Sequence, residues 1–360
     1  MRRTAVVLSS VIALGALVAC GQDAAPLSQG GDGPIKIRYG VAAAAPGVDQ
    51  SPYTSLPVQL GYWKDEGLDV EVLGFAGSGA TFQALAAGKI DVGQGPPDPL
   101  FAASASGEDV VAFYDHVPGN FLMPQVPEDS PIQSAADMKG ATIGVASLEA
   151  GGVTLIKAMT AKAGLKPSDY DIVAIGTGAE AKQYITKGDV DVVELYDSAY
   201  TALGIPLRPI RDAYFESIGF NNAIATTSEA MTANRQAMIG IARGVAKATL
   251  FAHENPEAAV KLHWKSYPAS KPVGVSEEQA LKQAVAVLKS RNANTQPPDQ
   301  GWGYSDDETV QRHMQMLLDA EVLQSAVKAQ DIWDGGLLED INDFDDEAVR
   351  QQARGWTGGS

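Results

Sequence analysis

The sequence predicts an α/β fold of two similar lobes around a ligand cleft, and three observations carry that expectation. A stretch of chain is repeated with its parts in the same order. The first copy runs from Asp69-Val70-Glu71-Val72 to Gly77-Ser78-Gly79-Ala80, then Gly88-Lys89-Ile90-Asp91-Val92, then Asp98-Pro99-Leu100-Phe101-Ala102-Ala103. The second reads Asp171-Ile172-Val173, Gly176-Thr177-Gly178-Ala179, Gly188-Asp189-Val190-Asp191-Val192 and Asp197-Ser198-Ala199-Tyr200-Thr201-Ala202. The preceding segments echo one another too, Ile37-Arg38-Tyr39-Gly40-Val41-Ala42 against Thr142-Ile143-Gly144-Val145-Ala146. Finally, each copy alternates strand-like and helix-like runs, the pattern of a parallel sheet covered by helices, and two copies are too few for a solenoid. Such sheets bind ligands beyond the carboxyl ends of their strands, so two facing halves imply a cleft for something small.

The chain opens with a targeting segment. Arg2 and Arg3 precede an uncharged run over 4–19, too short to span a bilayer as a helix of about 20 residues, so 1–19 reads as a cleavable signal peptide. It ends in Leu17-Val18-Ala19-Cys20-Gly21, which resembles the bacterial lipoprotein box, and the resemblance implies lipidation of Cys20 as first residue of the mature chain. Cys20 is the only cysteine, so no internal disulfide is possible and stability rests on the core. Removing Arg2 and Arg3 leaves 25 basic against 44 acidic residues, a net charge of -19. That surface repels nucleic acid and anionic lipid, and the protein is expected to stand off the membrane on its lipid. Residues 20–34, with several Gly, Ser and Pro and no apolar periodicity, read as a flexible tether.

A first strand is expected over 35–41. A helix follows near 51–57, with Ser51 or Ser55 as N-cap and Pro52 or Pro57 at the tolerated first position. Residues 69–73, 90–93 and 110–114 are further strands, and the Gly-Ser-Gly turn feeds a short helix that Gly88 ends. The four prolines of 117–131 mark the crossing into the second half, about 132–213, and the chain returns near 217–226. Beyond that, Met238, Ile241, Val245, Ala248 and Ala252 recur at helical spacing, Asn255-Pro256 restarts a helix, and Ser276-Glu277-Glu278-Gln279 and Ser305-Asp306-Asp307-Glu308 resemble capping boxes. These helices are expected to buttress the first lobe. The resulting division is 35–120 with 225–360 as lobe 1 and 121–224 as lobe 2, crossed twice as a hinged cleft requires.

Three segments together carry a family resemblance. They are Leu60-Gly61-Tyr62-Trp63-Lys64-Asp65-Glu66-Gly67-Leu68-Asp69-Val70, Gln83-Ala84-Leu85-Ala86-Ala87-Gly88-Lys89-Ile90-Asp91-Val92-Gly93, and the run from Ser130-Pro131-Ile132 through Ala136-Asp137-Met138-Lys139-Gly140 to Ile143-Gly144-Val145. In this order, behind a lipoprotein box, they resemble the nitrate/sulfonate/taurine/thiamine-precursor family of ABC-importer substrate-binding proteins, over roughly 35–268. The resemblance implies the type II periplasmic-binding-protein fold and two lobes that close on a small polar solute. It also implies delivery to an ABC permease and ATPase. The expected protein is a monomeric, extracytoplasmic lipoprotein held to the membrane by its N-terminal lipid, with no cofactor.

Candidate site residues lie where helices begin past strand ends, because unpaired N–H groups and the positive dipole end point into the cleft there. Tyr53, Ser78, Gly79 and Asp98 come from the first half; Ser147, Glu149, Thr177, Tyr196 and Asp197 from the second; Phe220 from the return crossing. Ser78 and Thr177 occupy matching positions between glycines, either as donors to a ligand oxygen or as turn residues that start a helix. Asp98 and Asp197 also match, as N-caps or as ligand contacts. The rings of Tyr53, Phe121, Tyr196 and Phe220 suit either a flat ligand face or the core. Glu149 follows the strand at 142–146 and is a ligand contact or a first-turn acid that complements a dipole.

The six loops expected to line the cleft contain no Lys or Arg but hold Asp49, Asp98, Glu149, Glu180, Glu194 and Asp197. A nitrogen-bearing solute is therefore expected, zwitterionic like an aminosulfonate or a heterocycle such as a pyrimidine, in preference to an inorganic anion. Catalysis is not expected. The Gly-rich turns lack P-loop and dinucleotide spacing, no Gly-x-Ser-x-Gly elbow occurs, and His116, His253, His263 and His313 have no metal-ligand spacing. A lipoprotein that reports to a sensor is the other reading.

Overall fold

The computed structural model describes residues 33–148 and 150–358. The signal segment, Cys20 and all but the last two residues of the tether lie outside them, as does Glu149. Among the described residues no helix is long and apolar enough to cross a membrane.

Among the described residues ten strands form two five-stranded sheets. β1 (Ile35–Val41), β2 (Leu68–Gly74), β3 (Val92–Gly95), β4 (Val111–Asp115) and β10 (Ala223–Thr226) build the first, in the order β2-β1-β3-β10-β4. β5 (Gln125–Pro127), β6 (Thr142–Val145), β7 (Asp171–Ala174), β8 (Val192–Glu194) and β9 (Leu207–Pro209) build the second, in the order β7-β6-β8-β5-β9. In each sheet three parallel strands are followed by one antiparallel strand, β10 in the first and β5 in the second. Both antiparallel strands arrive directly from the other sheet, so each crossing delivers its strand into the receiving sheet one place from the edge.

The sequence repeat has a hydrogen-bonding cause. Asp91 accepts the backbone N–H of Arg38 at 2.7 Å and donates its own N–H to the Arg38 carbonyl. Asp191 does the same with Thr142, at 2.8 Å. Each Asp thus aligns the third parallel strand on the first, satisfying backbone groups that a strand end would leave open. It also shifts the strand that 90–93 predicts: residues 88–91 are spent closing the Ser78–Ala86 helix, with Gly88 at φ 66, and on this pairing, so β3 starts at Val92.

Helix boundaries differ from expectation at two caps. The helix Ser55–Gln59 starts from Thr54, after a 3-10 turn over Val48–Tyr53, and not from Ser51 or Ser55. The helix Asp307–Asp319 is capped by Asp306, whose carboxylate accepts from the Thr309 N–H, and not by Ser305. A carboxylate at this position also complements the dipole, which a hydroxyl does not. Ser276 and Asn255 cap Glu277–Asn292 and Pro256–Ser266 as their spacing indicates.

The helix Arg235–Glu254 buries Met238, Ile241, Val245 and Phe251 against the first sheet, each worth about 1.5–3 kcal/mol. That gain exceeds the roughly 0.5–1 kcal/mol that each of Gly240 and Gly244 costs inside a helix. Gly244 is needed: a Cβ there would lie 2.4 Å from the Trp63 ring, whose Nε1 donates to the Ile241 carbonyl at 3.0 Å. The later helices do more than buttress the first lobe. Val310 and Leu317 share one apolar cluster with Leu100 and Phe101 of the first lobe and Ile143 and Leu155 of the second, and Glu277–Asn292 packs on the helix Asp197–Leu203.

Candidate ligand site

A chamber of about 370 Å³ lies between the sheets. Its roof is the segment after β1, where Ala42, Ala43 and Ala44 bring only small side chains to the lining, and the 3-10 turn adds Asp49, Gln50 and Tyr53. Gln94 at the end of β3 and Asn222 just before β10 form a polar wall, the Gln94 amide donating to the Asn222 carbonyl oxygen. Phe121, from the outward crossing, and Tyr196, past β8, supply rings on the other sides.

Arg291 reaches this chamber from the helix Glu277–Asn292. It donates to Asp197 at 2.6 and 3.0 Å and lies 3.8 Å from Asp49, with its guanidinium 4.6 Å from the Phe121 ring centre. Asn294 completes Asp197 at 2.8 Å. Burial works against the charge of Arg291, but Asp197 and Asp49 outweigh it and raise its pKa above the usual arginine value. Asp49 accepts from Ser198 Oγ at 2.9 Å, a hydrogen bond between the turn after β1 and the helix after β8. Its pKa is raised by burial, which Arg291 and Ser198 only partly offset.

Other titratable groups flank the chamber. Burial raises the Asp115 carboxyl to about 7 and lowers His116, which packs edge-on to Tyr53 at 4.5 Å, to about 3. Glu194 ends β8 in the register position of the second lobe that Gln94 holds in the first, since Gln94 pairs with Val41 and Glu194 with Val145. It is 1% exposed, and burial raises its carboxyl to about 8. Its Oε2 stands where a side chain of Gly152 would begin: a Cβ at Gly152 would lie 1.3 Å from it.

The sequence candidates separate into groups. Tyr53 and Tyr196 line the chamber, and Asp197 holds its arginine. Thr177 lines a second, solvent-open groove of about 900 Å³, beside Tyr196. Asp98 lines a small void of about 30 Å³ and accepts from His313 Nε2 at 2.8 Å. Neither Asp98 nor Asp197 is an N-cap: each is the first helical residue, after Pro97 and Tyr196, and each is held by a side chain of a C-terminal helix. Ser78, Gly79 and Ser147 line none of these three cavities. Phe220 is placed in the core, fully buried with its ring edge-on to Phe101 and Trp333 and its backbone at φ 60. Gln50, Gln94, Asn222 and Arg291 join the site beyond the candidates, and of the six acids expected in the cleft loops Asp49 lines the chamber. Arg291 corrects the expectation of a cleft without a basic residue, because it comes from outside the six loops.

Two α/β lobes of this topology around an interlobe chamber define the class, that of the two-lobed periplasmic binding proteins. Residues 56–259 match the family model described as NMT1/THI5 like, and the chain belongs to that family. A relative from Brucella abortus (strain 2308), described by its name as a binding protein, is 23% identical over 233 residues, which is 63% of this chain and 70% of the relative. The fold is similar to the periplasmic aliphatic sulphonate binding protein SsuA from Escherichia coli, with TM-score 0.64 and 20% identity over 83% of this chain and 92% of that one. It is also similar to the periplasmic nitrate-binding protein NrtA from Synechocystis PCC 6803, with TM-score 0.60 and 13% identity over 85% and 88%.

Proposed function

We propose that the protein is the extracytoplasmic solute-binding component of an ABC importer. It captures a small polar organic solute between lobe 1 (35–120 with 225–360) and lobe 2 (121–224) and delivers it to a permease and its ATPase. After loss of 1–19 it is held to the membrane through lipidated Cys20, as a monomer. Family membership and the binding-protein relatives support this reading, and the chamber is the observation that carries it. Its 370 Å³ falls in the range of about 300–1,000 Å³ usual for small-molecule sites and is roomy for nitrate alone.

The chamber's chemistry favours a nitrogen-bearing solute even with Arg291 present. That guanidinium is already engaged by Asp197 and lies beside Asp49, two carboxylates against one cation, so no unpaired positive charge is offered to a free anion. Gln50, Gln94 and Asn222 supply amide donors and acceptors, and Tyr53, Phe121 and Tyr196 supply ring faces. A heterocycle or a zwitterionic aminosulfonate fits both. Calorimetric titration of ligand-free protein with nitrate, taurine, an alkanesulfonate and an aminopyrimidine tests this. Binding of taurine or the aminopyrimidine is expected; tight binding of nitrate alone would overturn the solute class.

A further inference from the structure

The groove of about 900 Å³ opens directly beside the chamber, and Gly47, Asp49 and Tyr196 line both. The groove runs between the helices Ala179–Lys187 and Asp197–Leu203 on one side and Glu277–Asn292 on the other. Its character is the reverse of the chamber's. Val275, Val287 and Leu203 give it apolar walls, and Lys182 and Lys282 enter it from opposite sides. In a chain with 44 acidic and 27 basic residues, Asp49, at the junction with the chamber, is the one acidic residue of this lining among the described residues. Lys182 donates to the Leu203 carbonyl at 3.0 Å, and Lys282 has no ion pair among the described residues.

We infer that chamber and groove form one bipartite site for an elongated solute. A nitrogen-bearing head occupies the chamber, and an apolar chain passes Tyr196 and ends in an anionic group, a carboxylate, sulfonate or phosphate, between Lys182 and Lys282. This rests on the reading of the chamber as the solute site and extends it to the far end of the molecule. The two ends differ in sign for a physical reason: the chamber holds two carboxyl groups against one guanidinium, while the groove holds two ammonium groups against the single carboxyl of Asp49, which lies at its junction with the chamber and faces Arg291. Each methylene laid on the apolar walls adds to affinity until the anion reaches the lysines.

The test is calorimetric titration of the full chain with ω-aminoalkanesulfonates of increasing length, from taurine to the eight-carbon member. Affinity is expected to rise at least tenfold along the series. In Lys182→Gln/Lys282→Gln, both exposed positions that leave the fold intact, the ratio of long-chain to short-chain affinity should fall at least fivefold, and the wild-type ratio should shrink with added salt. Length-independent binding, or a ratio unchanged by the double substitution, would overturn the groove while leaving the chamber standing. If no member binds, the bipartite site falls, and the aminopyrimidine titration then decides separately whether the chamber binds solute.

Discussion

Arg291 and Asp197 are joined by a two-pronged ion pair at 2.6 and 3.0 Å that fixes the helix Glu277–Asn292 to the start of the helix Asp197–Leu203. Both side chains are shielded, so their attraction is little screened, and each depends on the other to offset the cost of leaving water. Arg291→Met should therefore destabilise the protein by about 3–5 kcal/mol in chemical denaturation, since Asp197 is left buried with only Asn294 and Ser198 as donors. Adding Asp197→Leu should recover most of that loss. A single variant as stable as the wild type would mean that the pair opens readily in solution.

Asp49 should make solute affinity fall in acid. Burial raises this carboxyl above its ordinary value, and a cationic head beside it would favour the ionised form. Affinity for such a solute should be lost as pH is lowered through the range in which Asp49 takes up a proton, and Asp49→Asn should remove that dependence in calorimetric titrations at a series of pH values. The same acid loss in Asp49→Asn would place the cationic head elsewhere.

Glu194 sets part of the pH dependence of stability. Its folded value of about 8 exceeds the ordinary 4.5, so between these values the folded chain holds a proton that the unfolded chain has released. Its contribution is complete below 4.5 and is lost as pH rises through 8. His116 works in the opposite sense, with a contribution complete above 6.5 and lost as pH falls through 3. The stability of Glu194→Gln relative to wild type should accordingly increase from pH 5 to pH 8.5 in urea denaturation, and a flat difference would show a solvated carboxyl.

Gly152→Ala should cost about 1–3 kcal/mol, because its Cβ would overlap the Glu194 carboxyl and force it from its place. In a Glu194→Ala background the same change should cost little, and that non-additivity is the reading that counts. Additive effects would show that Glu194 already moves freely.

Anchoring is tested at the other end of the chain. Cys20→Ala should release the protein into the soluble fraction or leave its precursor uncleaved, as judged by fractionation and mass spectrometry. A normally matured, membrane-bound variant would remove the lipid from the proposal.

The repeat was legible in the sequence because it is made of local pieces: a strand, a glycine turn, a short helix, and Asp91 or Asp191 at a fixed distance from the strand it aligns. The chamber was legible only on its loop side. Asp98 and Asp197 look like helix starters locally, and nothing near them in sequence announces His313 or Arg291 as partners. A signal for Arg291 did exist, since Ala280, Ala284, Leu288 and Arg291 fall on one buried helical stripe and a guanidinium there requires a carboxylate opposite. Phe220 misled because an aromatic ring in a crossing segment fits a ligand or the core equally well, and its packing on Phe101 and Trp333 is tertiary.

The stretch matched by the family model runs from residue 56 to 259, so β1, the roof of the chamber and Arg291 all lie outside it. The matched part carries the other nine strands and both crossings, while Ala42 to Tyr53 on one side and Arg291 on the other come from the flanking segments. Two stretches far apart in the chain thus meet over one chamber, and an exchange of the segment 277–292 between relatives would change its lining while leaving those nine strands as they are.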